Sequence, residues 1–242
     1  MILLAIDIGN THVTCGIYDK KWNEIIRIPS NENSFNSFSS LKKHKITHAA
    51  ISSVVPKLNA IYIKSIQDLF NINPFLITHE NCGVELIVDK PSEVGIDRIC
   101  NTAAAQQINK PAIIGDIGSA TNYDVVDKNG AFIGGAISPG LETAANNLFN
   151  KAALLKSTAF MIPPSSIGKN TQTNLQSGIM FGAIDVIDGM FKRLEIDLGC
   201  KGINKIITGG FGKLISPHLK TKHQLIPNLT LDGIRLIFKN SI

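Results

Sequence analysis

Two short segments of the chain are near copies of one another. Asp7-Ile8-Gly9-Asn10 closes an apolar run that begins at Ile2, and Asp116-Ile117-Gly118-Ser119 closes another that begins at Ala112. Each is followed by a second β-rich run, an acidic turn and a third run, and the two aspartates stand 109 residues apart in a chain of 242. Stacked-repeat solenoids have periods of roughly 20–50 residues, so this spacing is too long for one. It points instead to duplication of one α/β half, giving an N-terminal lobe of 1–110 and a C-terminal lobe of 111–242 that face one another across a cleft. The length suits one large domain or two small lobes and leaves no room for long linkers.

The runs between the two copies alternate strand and helix signals. Ile2–Ile8, Val13–Tyr18 and Glu24–Ile28 read as a three-stranded meander, with turns at Gly9-Asn10-Thr11 and Asp19-Lys20-Lys21. Residues 31–40, rich in Ser and Asn, read as a loop entering a short helix that ends near Lys45. A strand over Thr47–Val55 leads into a helix from Pro56 to about Phe70, where proline's missing N–H costs nothing in the first turn. Phe75–Thr78 reads as a short strand and Glu93–Ile108 as a helix stopped by Asn109-Lys110-Pro111. Strands are expected at Ala112–Asp116, Thr121–Asp127 and Ala131–Ile137, and a helix opens at Pro139-Gly140. Pro163-Pro164 marks a loop, Thr171 to about Leu198 a long helix, Lys205–Thr208 a buried strand and Leu231–Phe238 a closing helix. Alternation of this kind gives an α/β fold.

Charge and cysteine usage remove several function classes. Lys and Arg number 24 against 19 Asp and Glu, a net +5 that permits an anionic ligand without naming one. The densest basic cluster, Lys42-Lys43-His44-Lys45, has no interleaved aromatics, and only 6% of the chain is aromatic, so a base-stacking nucleic-acid surface is not expected. Every apolar run stops short of the ~20 residues needed to span a bilayer. The N-terminal run lacks a basic leader and meets Asp7 too early for a secretory core. Cys15, Cys82, Cys100 and Cys200 are scattered, with no Cys-x-x-Cys pair and no histidine at metal-ligand spacing. They read as reduced, mostly buried small hydrophobes of a cytoplasmic protein.

The chemistry concentrates in the repeated turns. Glycine lets the backbone turn sharply and approach a ligand closely, and successive amides in such a turn form an anion-binding concavity. Asn10, Thr11 and Ser119 add neutral donors, while Asp7 and Asp116 can hold a hydrated magnesium ion against phosphate oxygens. A single copy reads better as an ordinary hairpin whose aspartate accepts local backbone hydrogen bonds; two copies in register favour phosphate. Neither Gly-x-x-x-x-Gly-Lys-Ser/Thr nor a Gly-x-Gly-x-x-Gly after a strand is present, which argues against P-loop and Rossmann enzymes. The arrangement resembles the duplicated two-lobed actin, sugar-kinase and heat-shock ATPase superfold, an actin-like, ribonuclease H-like α/β architecture that binds ATP between its lobes.

Three further segments narrow the resemblance: Gly95-Ile96-Asp97-Arg98 at a helix start with Ala103–Ala105 behind it, Gly134-Gly135-Ala136-Ile137-Ser138-Pro139-Gly140-Leu141 after the second repeat, and Ile206-Ile207-Thr208-Gly209-Gly210 at the end of a buried strand. With the two repeat turns they are similar, in order and over nearly the whole chain, to the type III pantothenate kinase family, which includes proteins named as Bvg accessory factors. The resemblance implies that Asp7, Ile8, Gly9, Asn10, Thr11, His12, Val13 and Thr14 form the first phosphate turn of an ATP site and that Ser119 donates from the second. It implies that Asp116 attends a monovalent cation, potassium or ammonium, and that Gly95, Ile96, Asp97 and Arg98 hold pantothenate with Asp97 as the proton acceptor. It implies a homodimer in which Thr171 reaches substrate across the interface, and Thr208-Gly209-Gly210 beside adenine. The chemistry agrees, since a primary hydroxyl attacks phosphorus more readily when a positioned carboxylate accepts its proton.

Three positions depart from the family pattern. Ser119 and Asn122 replace threonines of the second repeat, and Val88 stands where several relatives carry a substrate-contacting tyrosine. Gly178, Gly182 and Gly189 inside one long helix suggest close packing, within the subunit or against a second copy. Two other functions fit the same residues: a non-catalytic accessory protein, or a different phosphotransferase of the superfold.

Overall fold

The computed structural model describes residues 1–31, 34–152 and 154–242; the part of the expected loop that falls on 32–33 lies outside them. The chain divides into two units, Met1–Ile108 with Leu229–Ile242, and Asn109–Asn228.

The first unit is built on strands β1 (Leu3–Ile8), β2 (His12–Asp19), β3 (Lys21–Pro29), β4 (His48–Ser53) and β5 (Phe75–Leu76), in the order β3-β2-β1-β4-β5. β1 runs antiparallel to β2 and parallel to β4. It is apolar and buried along its length except for half-buried Asp7, as a central strand covered on both faces must be. At the edge, β3 alternates exposed and half-buried side chains. A 3-10 helix spans Ser34–Lys43, where a loop and short helix were expected. Helix α1 (Pro56–Phe70) starts with proline in its first turn and ends on Asn71 in the left-handed conformation. A 3-10 turn at Pro91–Glu93 leads into α2 (Ile96–Ile108). The core gathers Leu4, Ile6, Ile8, Val13, Ile51, Leu58 and Tyr62.

The second unit repeats the plan with β6 (Ala112–Ile117), β7 (Ala120–Val126), β8 (Phe132–Pro139), β9 (Asn204–Thr208) and β10 (Gln224–Leu225), in the order β8-β7-β6-β9-β10. β6 is antiparallel to β7 and parallel to β9, the same pairing scheme as β1 with β2 and β4. The duplication read from two short turns therefore extends to five strands in each half. Helix α3 is Leu141–Lys151; α4 is Thr171–Leu198, opened by a capping box between Asn170 and Thr173 and closed by left-handed Gly199. A short α5 (Gly212–Ile215) and β10, neither expected, follow β9.

The expected division at 110/111 needs one correction. The closing helix α6 (Leu229–Asn240) packs in the first unit, on α2, β1 and β4. Its Phe238 meets the rings of His48 and Phe75 at centroid distances of 5.6 and 5.9 Å, Thr230 Oγ1 donates to Asn101 Oδ1 at 2.8 Å, and Asp232 Oδ1 accepts from Trp22 Nε1 at 3.0 Å. Its apolar face of Leu229, Leu231, Ile234, Ile237 and Phe238 must be buried, but amphipathic periodicity does not say which sheet will bury it. Among the described residues, no helix is long and apolar enough to cross a membrane.

Candidate active site

The first turn lies between β1 and β2, where Ile8 pairs with Val13 and the Gly9 amide donates to the His12 carbonyl at 3.0 Å. The second lies between β6 and β7, where Ile117 pairs with Thr121 and the Gly118 amide donates to the Ala120 carbonyl at 2.9 Å. In both copies the glycine N–H is used to close the turn, so the groups left for an anion come from the exposed residues that follow, Asn10 and Thr11 in one and Ser119 in the other. The first turn has one residue more than the second, so the residue across the ladder from Asp7 is Thr14 while the residue across from Asp116 is Asn122. The departure at Asn122 thus falls beside the repeat aspartate itself. On the parallel side, Asp7 pairs with Ser52 and Asp116 with Thr208.

Not every residue expected in the first turn offers a side chain to a ligand. Ile8 and Val13 are fully buried members of the core and can contribute only backbone groups. The His12 ring lies 3.1 Å from an Arg27 nitrogen through Nδ1, at the base of the β2–β3 ladder. The second turn is braced from behind by the start of α3: the Ser119 carbonyl accepts from Thr143 Oγ1 at 2.7 Å and from the Gly140 amide at 3.2 Å. A Cβ on Gly140 would fall on the Gly118 and Ser119 carbonyl oxygens, so only glycine lets the helix start approach this closely. Asp116 Oδ1 lies against the Cα of Gly209 at the end of β9.

Asp97 stands in the first turn of α2, a helix whose opening is set by the Gly95 carbonyl accepting from the Arg98 and Ile99 amides at 3.1 and 3.2 Å. Asp97 Oδ1 accepts from the Arg98 amide at 2.8 Å and lies over Gly95, where an added Cβ would meet it at 2.5 Å and Val54 Cγ1 at 3.6 Å. Burial pushes the Asp97 carboxyl above the ordinary carboxylate range; the Arg98 amide and charge oppose that push without cancelling it. A carboxyl poised in this way can take a proton from a substrate hydroxyl.

One turn further along α2, the Cys100 thiol is buried. Burial raises its pKa well above the usual thiol value, and the negative charges of Asp7 and Asp97 both add to the rise. Val54, which lies against Gly95 beside Asp97, follows by two residues Ser52, the hydrogen-bond partner of Asp7, so Asp7 and Asp97, far apart in sequence, are brought to the same end of the first unit. Sequence reasoning missed Ser52, whose hydroxyl donates to Asp7 Oδ1 at 2.9 Å. The available signal was a serine following the apolar run Ala49-Ala50-Ile51 near the carboxyl end of a strand, one strand away from Asp7.

The remaining expected residues belong to the second unit or stand apart from this cluster. Asp116 and Ser119 form the second turn, and Thr171 is the exposed first residue of α4. Val88 is half-buried in the bend before Pro91. Among the described residues, no group of three or more His, Cys, Asp or Glu side chains is placed to hold a metal ion. The single aspartate at each turn suits a magnesium ion that takes most of its oxygens from phosphate and water. Three of the four cysteines are buried, Cys200 is exposed, and all four are free thiols.

Comparison with known proteins agrees with this geometry. A family model described as type III pantothenate kinase matches residues 3–193. A type III pantothenate kinase of Sulfurihydrogenibium sp. (strain YO3AOP1) is 38% identical over 252 aligned residues, covering 98% of this chain and 100% of the relative. Among solved structures, a Baf family protein of Campylobacter jejuni is 19% identical with a TM-score of 0.65, covering 98% of both chains. A non-polymerisable quadruple mutant of pCBH ParM is 12% identical with a TM-score of 0.52, covering 100% and 99%. These two likenesses bear out the expected duplicated actin-like fold.

Proposed function

The chain belongs to the type III pantothenate kinase family, and from that premise we propose that it moves the γ-phosphoryl group of ATP to the primary hydroxyl of pantothenate, forming 4'-phosphopantothenate, the first step of coenzyme A synthesis. The observation that carries the assignment of roles is the Asp97 carboxyl, held by the Arg98 amide and raised in pKa by burial. As the hydroxyl oxygen bonds to phosphorus, its proton passes to Asp97, the bond from phosphorus to the β–γ bridging oxygen breaks, and ADP leaves with that electron pair. Arg98 follows Asp97 directly and has the planar fork that suits the pantothenate carboxylate. Phosphoryl transfer depends otherwise on alignment and charge neutralisation. The turn at Asn10 and Thr11 and the turn at Ser119 supply neutral donors for phosphate oxygens, and Asp7 steadies the magnesium ion that accompanies ATP. Asp116, beside Asn122 and Thr208 in its sheet, is the residue we assign to a monovalent cation, potassium or ammonium. The free thiols fit the reducing cytoplasm.

The test is direct. Purified protein with magnesium, ATP and pantothenate should release ADP in step with phosphopantothenate, and the rate should fall at least tenfold when potassium is replaced by sodium. Release of ADP without pantothenate, or no turnover with either cation, would remove this function.

We further infer that the working form is a homodimer joined along α4. Gly178, Gly182 and Gly189 were expected to pack closely, yet a Cβ on any of them would meet nothing within 4 Å. They lie on the exposed face of α4 with Val186 and Ile196, which are 53% and 67% exposed, opposite the face that buries Met180, Ile184, Ile187 and Phe191. Beside this face, α3, α4 and β7 line an apolar groove of about 470 Å³ that includes Leu148, Gly178, Gly182 and Val186. Glycines on an exposed helix face cost roughly 1 kcal/mol each relative to alanine, and a second copy crossing closely over them would offset that cost. Thr171, at the head of the same helix, would then be carried towards the partner. Gly182→Glu should convert the dimer to monomer in sedimentation velocity with its helical circular dichroism retained; an unchanged sedimentation coefficient would reject this interface.

A further inference from the structure

The hydroxyl of Ser52 is completely buried, at 0% exposure, and it donates to Asp7 Oδ1 at 2.9 Å. That bond ties β4 to β1 across 45 residues of sequence.

Nothing in ordinary strand packing asks for a hydroxyl here. The residues before it on β4, Ala49, Ala50 and Ile51, are apolar and buried, and an unpaired buried hydroxyl in such a place is costly. The second unit places a hydroxyl residue at the same register position: Thr208, 1% exposed, pairs in parallel with Asp116 as Ser52 does with Asp7. A buried hydroxyl beside the repeat aspartate therefore occurs in both halves of the duplication, although the strands around it differ in sequence.

We propose that Ser52 is a positioning residue for nucleotide binding: by engaging Oδ1 it fixes the Asp7 carboxylate in one rotamer and turns the other oxygen to the magnesium ion that accompanies ATP. This rests on the phosphate-binding role assigned to Asp7 above. Without the bond the carboxylate loses the restraint on Oδ1 about its terminal torsion, which is broad for aspartate, and the magnesium–nucleotide meets a less well oriented partner. The pantothenate subsite at Gly95–Arg98 is untouched, so the effect is confined to one substrate.

The experiment compares wild type, Ser52→Ala and Ser52→Thr by calorimetric titration with magnesium and a non-hydrolysable ATP analogue, together with steady-state KM values and thermal melting. A hydrogen bond to a charged group is worth about tenfold or more in affinity. Ser52→Ala should therefore weaken analogue binding about tenfold and raise KM for ATP in parallel, with KM for pantothenate within twofold of wild type. Ser52→Thr, which restores the hydroxyl, should recover most of the affinity. Unchanged analogue affinity in Ser52→Ala, an equal rise in both KM values, or a threonine variant as weak as the alanine variant would each overturn the proposal. Failure of the wild type to bind the magnesium–nucleotide would instead overturn the kinase reading, and this inference with it.

Discussion

Replacing Asp97 by Asn should lower kcat by about 10²- to 10⁴-fold, the range contributed by a positioned general base, while the protein stays folded. The amide keeps the size of the side chain and can still accept from the Arg98 amide, which now holds Asp97 Oδ1 at 2.8 Å, but it cannot take the hydroxyl proton. The raised pKa fixes two signs. In the wild type the rate should climb with pH as the carboxyl loses its proton, and burial places that limb above the ordinary carboxylate value of 3.8; the variant should lack the limb. For stability, a carboxyl whose folded pKa is raised is at its most favourable when neutral, below its unfolded pKa. That contribution is lost as pH rises through the folded pKa. The amide has no charge to bury, so the variant should melt at or above the wild-type temperature at pH 7. Near-normal turnover would remove Asp97 from the mechanism, and a large fall in melting temperature would show that its role is structural.

Gly233→Ala should be among the most damaging single-methyl changes available in this chain. Gly233 lies on α6 where that helix crosses α2, and a Cβ there would run into the Cys100 carbonyl and come within 2.8 Å of the Cys100 Cα. The obstacle is the backbone of a buried helix, so relief requires the two helices to separate rather than a side chain to rotate. Overpacking of a tight core typically costs about 1–3 kcal/mol, and a backbone obstacle belongs at or beyond the upper end. At roughly 2–4 °C per kcal/mol for a chain of this size, melting should begin about 10 °C lower. Cys100 lies on α2 one turn beyond Asp97, so displacement of that helix should lower activity at temperatures where the fold is still intact. A melting curve within two degrees of wild type would mean that α6 and α2 have slack between them.

Much of the fold was legible because its signals are local. The apolar runs of β1 and β6, Pro56 at the head of α1, and the capping residues of α4 each declare an element through interactions within a few residues. Of the candidate site, the repeat aspartates, the turn residues, Gly95 and Asp97 were legible because their motifs are contiguous. Two expectations changed for reasons that spacing does not encode. Ile8 and Val13 fall within the first motif, but the pleat turns their side chains into the core. The α4 glycines, expected to pack closely within the subunit or against a second copy, meet nothing within the subunit, whereas Gly233 on α6 lies against the backbone of α2.

By itself, the sequence determined that this chain folds as two copies of one α/β plan, each with an aspartate and a glycine turn at the end of its first strand. Duplication, strand order along the chain and turn chemistry are all written in short-range pattern. Only the tertiary structure decided that α6 returns to the first unit, that Ser52 bonds Asp7, that Gly233 on α6 meets the backbone of Cys100 on α2, and that the glycine face of α4 is open. The physical reason is common to all four. Each depends on which buried surface meets which across a long stretch of chain, and an amphipathic pattern specifies that a face must be covered without specifying what covers it.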